Sequence, residues 1–337
     1  MNKKITRRKI IKIGGVGLLG STFPFTGFSY IKLTPMITKK SFEVIIVGGS
    51  YAGLSAALAL GRSLRDVLII DSGLPCNRQT PHSHNFLTHD GEEPHMIAEK
   101  AKREVLAYKS VSLLEGLAVR AEKTDGRFSV YTKDGGVFDA RKLVLATGIK
   151  DQVPDIKGFA DCWGISIIHC PYCHGYEFKD MKTGIFANGD QAYHLTSLVD
   201  NLTDNLVILT NGPSNFSSEQ MEKLAGHSIN IIETPVAEIS NHKGQIKSVV
   251  FADGATLDLD ALYAALPFEQ HSKLSAQLAC ELTEHGHIQV DLFQKTSVPG
   301  VFACGDNSTP FRAVSYAVAS GTIVGSMINM ELVQEEF

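Results

Sequence analysis

The sequence predicts an α/β protein built from two Rossmann-like domains of the three-layer ββα kind, and three observations carry that reading. First, the apolar run Phe42 to Val47 ends on Gly48-Gly49, an Ala- and Leu-rich stretch from Leu54 to Leu64 follows, and a second apolar run, Asp66 to Ile70, ends at Asp71. Strand, glycine turn, helix and strand within about thirty residues make a βαβ unit, because parallel neighbouring strands need such a crossover. Second, the pattern returns at Thr183, where GIFANGD leads into a helix from about Gln191 and then into the strand Leu206 to Leu209. Third, 337 residues are more than one hydrophobic core usually serves.

The remaining elements fall in order. Gly135-Gly136 marks a hairpin-type turn before the strand Lys142 to Ala146, and Asp253-Gly254 marks another before Leu262 to Leu266. The tail runs from the strand at Val301 through Gly305-Asp306 into a long Ala/Val/Gly helix from about Ala313. With 44% hydrophobic and 20% charged residues, the composition is that of a soluble protein. A net charge of −4 gives no electrostatic reason to expect nucleic acid or an acidic membrane as partner.

The first forty residues differ from the rest. Lys3, Lys4, Arg7, Arg8, Lys9 and Lys12 occur without any acid, and a weakly apolar stretch from Ile13 to about Phe25 follows. Basic region then apolar region is the layout of an export signal, and Thr6-Arg7-Arg8-Lys9 is similar to a twin-arginine signal. The expectation is an exported, periplasmic or membrane-associated protein, with a basic tail on a cytoplasmic protein as the alternative. Contact with a membrane is expected only through this segment, if it stays uncleaved, since it is short and glycine-rich for a spanning helix.

Three motifs carry chemistry. The turn Gly48-Gly49-Ser50-Tyr51-Ala52-Gly53 fits a dinucleotide fingerprint: Gly48 serves the tight turn, Ser50 the approach to pyrophosphate, and Gly53 the close packing of helix on strand. Asp71, at the end of the next strand, is placed to accept from a ribose hydroxyl. Near the C-terminus, Val301 to Asp306 (VFACGD) ends an apolar strand on Gly305-Asp306, so that the acid can meet a sugar or ribityl hydroxyl and the following helix can aim its N-terminal end at an electron-rich ring. Between them lies His169-Cys170-Pro171-Tyr172-Cys173-His174. Two cysteines three apart can close and reopen a small disulfide ring, which is redox chemistry rather than scaffolding. A zinc site would need two further ligands at comparable spacing, so no metal is expected. Cys76, Cys162, Cys280 and Cys304 are scattered and read as core or bystander thiols.

Together these segments resemble the low-molecular-weight thioredoxin reductases among the pyridine nucleotide-disulfide oxidoreductases. The resemblance runs from Phe42 to about Leu332 and rests on IIVGGSYAGLSAALAL, LVLATG at Leu143 to Gly148, CPYCHG, and PGVFACGD with FRAV and ASG behind it. It implies a discontinuous FAD domain (residues 41–150 and 287–337) and an inserted NAD(P)-binding-like domain (151–286) that carries the CxxC. It implies FAD contacts at Gly48, Ser50, Ala52, Gly53, Asp71, Thr147, Gly148, Gly305 and Asp306, with Arg312 and Ala313 approaching the flavin ring. Cys173 becomes the thiol nearer the flavin and Cys170 the interchange thiol. A homodimer is the assembly that the resemblance implies.

Two departures redirect the expectation. The inserted fingerprint reads Ala187-Asn188-Gly189-Asp190, with alanine in place of its first glycine, and the place of the family's basic run reads Leu209-Thr210-Asn211-Gly212-Pro213. A 2′-phosphate there would lack charge-assisted bonds worth about 1.5–3 kcal/mol each, which argues against an NADPH preference. His174 also stands where the family has aspartate. These features resemble the gliotoxin-type dithiol oxidase branch, in which substrate dithiol reduces flavin and dioxygen reoxidises it, giving disulfide and hydrogen peroxide. The substrate would be a small-molecule or protein dithiol. His82, His84 and His89 lie in the loop Asn77 to Gly91, and His84 or His174 is expected to deprotonate the substrate thiol. The alternatives are an NAD(P)H-dependent disulfide reductase and a non-catalytic flavin-binding sensor.

Overall fold

The computed structural model describes residues 40–337, and the export-type segment expected over residues 1–40 lies outside them but for Lys40. The chain enters on β1 (Ser41–Val47), turns into α1 (Tyr51–Arg62), and continues through β2 (Val67–Asp71), α2 (Pro94–Leu106) and β3 (Val111–Glu115). These three strands pair in parallel, in the order β3-β2-β1. β1 and β2 are continuous apolar runs because helices or strands cover both faces of the sheet, which removes any reason for alternation. The helix α1 starts three residues earlier than the apolar periodicity suggests, since the glycine-rich turn is itself its first turn.

An antiparallel meander follows: β4 (Ala118–Thr124), β5 (Arg127–Thr132) and β6 (Val137–Leu145). The strand β6 also pairs in parallel with β1 along its length, from Ser41 opposite Asp139 to Val47 opposite Leu145. The chain then leaves this sheet through β7 (Ile149–Asp151) and α3 (Phe159–Cys162).

A second parallel sheet is assembled from β8 (Ile167–Ile168), followed by the short helix α4 (Pro171–His174), then β9 (Thr183–Phe186), α5 (Gly189–Val199), β10 (Leu206–Leu209), α6 (Ser218–Gly226) and β11 (Asn230–Ile232). An antiparallel trio, β12 (Val236–His242), β13 (Gln245–Phe251) and β14 (Thr256–Asp258), precedes β15 (Ala261–Ala264), which inserts between β9 and β8. The chain returns through β16 (Phe268–Gln270), paired antiparallel with β7, so that exit and re-entry form one two-stranded ribbon. After α7 (Leu274–Gln277), β17 (Val301–Ala303) joins the first sheet beside the end of β6, and α8 (Val314–Glu336) closes the fold.

The first sheet is packed on both faces. One face holds Val44, Ile46, Val144 and Phe302 against Leu60, Val324 and Ile328 of α1 and α8. The other holds Ile45, Leu68 and Leu143 against Phe128 and Val130 of the meander and Leu274 of α7. The two helices cross closely because small residues meet there: a Cβ at Gly321 would lie 2.1 Å from the Ala52 carbonyl oxygen. Ser55 Oγ donates to the Val318 carbonyl at 2.7 Å across the same crossing. At the far end of α8, Lys142 reaches Glu331 and Glu335 at 2.7 and 2.6 Å. Both anchorages fix where α8 begins, and that is the wall of the cavity. Among the described residues no helix is long and apolar enough to cross a membrane.

Candidate active site

A cavity of about 660 Å³ opens along the carboxyl ends of β1, β2 and β6, the place where open α/β sheets bind ligands. The β1–α1 turn supplies Gly48, Ser50 and Ala52 to its wall, β2 supplies Asp71, and the segment after β6 supplies Thr147 and Gly148. Gly305, Asp306, Arg312 and Ala313 line it from the C-terminal part of the chain. Gly53 does not line it but shapes it from behind, because a Cβ there would stand 1.9 Å from the Gly48 carbonyl oxygen. Gly48 has φ +107° and its Cβ would fall 2.1 Å from the Ala146 oxygen, so only glycine fits the turn.

The cradle fits a dinucleotide. Asp71 accepts from the Gly49 amide at 2.9 Å, which holds the acid beside the turn. Ser50 caps α1 in an extended conformation and makes no side-chain cap bond, so its hydroxyl stands at the helix N-terminus where phosphate oxygens are favoured. Asp306 is desolvated by burial, which pushes its carboxyl up against the pull of Arg312, and such an acid is suited to take a hydroxyl proton donor. Asn307, fully buried, donates to the Leu145 carbonyl at 2.8 Å and to Thr147 Oγ1 at 3.2 Å, and so fixes the cavity's third wall.

The inserted domain brings to this cavity the two histidines that flank its cysteine pair. Cys170 and Cys173 are joined in a disulfide with Cα atoms 5.3 Å apart, Cys170 capping α4 and Pro171 opening it. His169 and His174 line the cavity on either side of the pair. Their ring atoms are unusual for buried polar groups: His169 Nε2 and both His174 ring nitrogens have no hydrogen-bond partner. Burial lowers His169 to about 3 and lowers His174 as well, so both rings are neutral at physiological pH. Two neutral imidazoles and a dinucleotide cradle around one cavity, with a disulfide between the two histidines in the chain, are the parts of a flavin-linked thiol–disulfide exchange.

The family model described as "Pyridine nucleotide-disulphide oxidoreductase" matches residues 42–321. The chain belongs to the pyridine nucleotide-disulphide oxidoreductase family. It is 32% identical to the thioredoxin reductase tcpT of Claviceps purpurea, over 89% of this chain and 97% of that protein. A solved oxidoreductase from Agrobacterium tumefaciens superposes with a TM-score of 0.81 at 35% identity, covering 87% of this chain and 99% of its own. The thioredoxin reductase of Streptococcus pyogenes, at 21% identity, shares the fold with a TM-score of 0.80 over 89% of this chain and all of that one. This member of the pyridine nucleotide-disulphide oxidoreductases is therefore a thioredoxin reductase-like, FAD-binding enzyme that acts on sulfur groups.

Within this oxidoreductase the expected residues are not all gathered. His84 stays outside the cavity, with Nε2 3.4 Å from Glu177 and Nδ1 3.7 Å from Asp90. His82 and His89 turn into their own loop, toward the Gly91 carbonyl at 3.0 Å and Glu92 at 2.6 Å. Arg312 reaches the cavity but is held by Asp151, which accepts both of its terminal nitrogens. Of the scattered thiols, Cys162, Cys280 and Cys304 are buried, whereas Cys76 is exposed on the cavity wall and donates to the Ile149 carbonyl at 3.1 Å. The histidine before the first cysteine, Asn307, Asp151 and Glu177 were not singled out by sequence pattern as site residues. Only His169 carried a signal, its position next to Cys170.

The nucleotide-like turn of the inserted domain is tied up by its own chain. Asn188 caps α5, and its Oδ1 accepts from both Gly189 and Asn215 amides at 2.8 and 2.9 Å. Its amide nitrogen donates to the Pro213 carbonyl at 2.8 Å. Beyond β10, where a 2′-phosphate would need a cation, Ser214 instead meets Glu233: its side chain, and its amide at 2.8 Å, lower that acid.

Proposed function

We propose that the enzyme oxidises dithiols, with dioxygen as final acceptor and hydrogen peroxide as the second product. The observation that carries this reading is the Asn188–Asn215 tie across the start of α5 together with Glu233, which follows β11 and meets Ser214 beyond β10. A helix N-terminus already capped by a side chain, with a loop drawn over it, has fewer free donors for pyrophosphate. A carboxylate where NADPH carries a phosphate dianion adds repulsion. The paired arginines near the N-terminus point the same way, since export leads to a compartment where disulfide products persist.

The chemistry falls to the chain's own groups. A substrate thiol gives its proton to His174 and attacks Cys170, so the Cys170–Cys173 bond breaks and Cys173 leaves as thiolate. The second substrate thiol loses its proton and attacks the substrate sulfur of the mixed disulfide. Substrate disulfide departs, and both cysteines are reduced, with two electrons and two protons transferred. FAD, when bound, supplies the two-electron acceptor that passes these electrons to dioxygen. His169, held neutral, sets no charge beside the exchanging sulfurs.

The test is anaerobic mixing of the flavin-loaded protein with dithiothreitol, and separately with NADH and NADPH. Bleaching by the dithiol alone, then peroxide on admitting air, is the expected result; rapid bleaching by micromolar NADPH would refute it. Cys173→Ser is expected to keep FAD and lose the dithiol response. The second reading, an NAD(P)H-dependent disulfide reductase, draws on Gly189, which keeps φ +57°, and on Ala192, fully buried as in a working fingerprint.

A further inference from the structure

Resting on that reading, we propose that Glu177 is a positioning residue that couples His174 to His84 and carries the substrate's thiol protons from the disulfide to solvent. His174 is enclosed, and neither ring nitrogen meets a protein partner. A proton accepted there has to be stabilised and passed on. Glu177 follows the cysteine pair on the 3-10 turn Tyr176–Phe178, three residues beyond His174, with its carboxylate exposed at the surface. Its Oε1 lies 3.4 Å from His84 Nε2, and His84 Nδ1 lies 3.7 Å from Asp90, which is well exposed. Glu177, three residues beyond His174, thus stands at the surface in a cluster with His84 and Asp90.

The electrostatics agree with the geometry. Burial lowers His174 most, the charge of Glu177 opposes this, and His84 adds to it. His169 cannot substitute, because burial, Arg312 and His174 together lower it to about 3. The charged and titratable groups that face this cluster are His169 before Cys170, Arg312 ahead of α8, Glu177 on its turn, His84 and Asp90 in the loop, and Tyr263 on β15. Tyr263 is fully buried, its hydroxyl lacks a partner, and both burial and Glu177 push it up, so it remains protonated throughout. Of these groups, Glu177 and His84 are the two whose charges act on His174.

The test compares the flavin-loaded wild type with Glu177→Gln, Glu177→Asp and His84→Gln, reducing each with dithiothreitol in an anaerobic stopped flow across pH. Glu177→Gln is expected to slow flavin reduction about tenfold at its maximum, within the range of general acid–base effects. Its acid limb should move to lower pH, because the carboxylate that favours the His174 imidazolium is gone. His84→Gln should move the same limb to higher pH, and Glu177→Asp should restore part of the rate. Unchanged profiles, or displacement of both limbs in one direction, would overturn the proposal. The His174 ring-proton titration, followed by NMR in the same variants, reads the opposite displacements whichever way electrons run. If dithiothreitol fails to reduce the wild type, the direction of electron flow is wrong, while the NMR result still decides the role of Glu177.

Discussion

Asp151 and Arg312, 161 residues apart in sequence, form a two-pronged ion pair in which the guanidinium meets the two carboxylate oxygens at 2.8 and 2.9 Å. Asp151 ends the exit strand of the ribbon and Arg312 stands just ahead of α8. Both side chains are largely shielded from water, so breaking the pair leaves an uncompensated charge.

Arg312→Met should therefore cost about 3 kcal/mol of stability, as for other buried pairs broken from one side. It also leaves Asp151 and Asp306 facing each other without their cation. Urea unfolding of the purified protein reads the loss, and flavin content at purification should fall with it.

Gly53→Ala should give a protein that purifies without flavin. Its methyl group would stand 1.9 Å from the Gly48 carbonyl oxygen, and the turn cannot move away without losing the cradle. Gly126→Ala, on a hairpin where a Cβ meets nothing within 4 Å, is the comparison. It has φ +77° and should lose about 1 kcal/mol of stability while keeping its yellow colour.

His169 predicts how stability depends on acid. Its folded value near 3 lies below the ordinary 6.5, so the unfolded chain binds the proton more readily between those two pH values. The stabilisation from keeping it neutral is complete above pH 6.5 and is lost as pH falls toward about 3, by up to about 4 kcal/mol. His169→Asn should show a flatter fall of melting temperature between pH 7 and 4 than the wild type, measured by calorimetry.

Lys142→Met tests the far anchorage of α8. The ammonium is buried and joins Glu331 and Glu335, which it lowers. Lys295 still reaches Glu331 at 2.7 Å, so the loss should be nearer about 2 kcal/mol than the full value for a buried pair. Thermal melting reads it. Because both glutamates are lowered, the contribution of the cluster is present above the usual carboxylate range and fades as pH drops below it.

What the sequence made legible follows from local signals. β1, β2 and their glycine turn announce themselves because a strand buried on both faces must be continuously apolar. The cysteine pair is legible because its chemistry needs only four residues. The ribbon is not, because Ile149–Asp151 and Phe268–Gln270 are three-residue strands, with two charges in the first and one in the second, and no periodicity to detect. The contact of His84 with Glu177 at 3.4 Å is not legible either, since loop residues carry no pattern that tells which neighbour they will meet. Glu177 and Asp151 act through partners 93 and 161 positions away, and single-sequence reading has no access to such distances. The degraded fingerprint was visible as missing residues, but the Asn188 tie that replaces it was not.

The ribbon of β7 and β16 has one more consequence. Exit and re-entry run side by side, with Asp151 opposite Phe268 and Ile149 opposite Gln270, so the intervening segment departs from its host and rejoins it through one doorway. Transplanting that piece in the laboratory has to match six residues of backbone at the junction and, beyond it, the contact of Glu177 with His84.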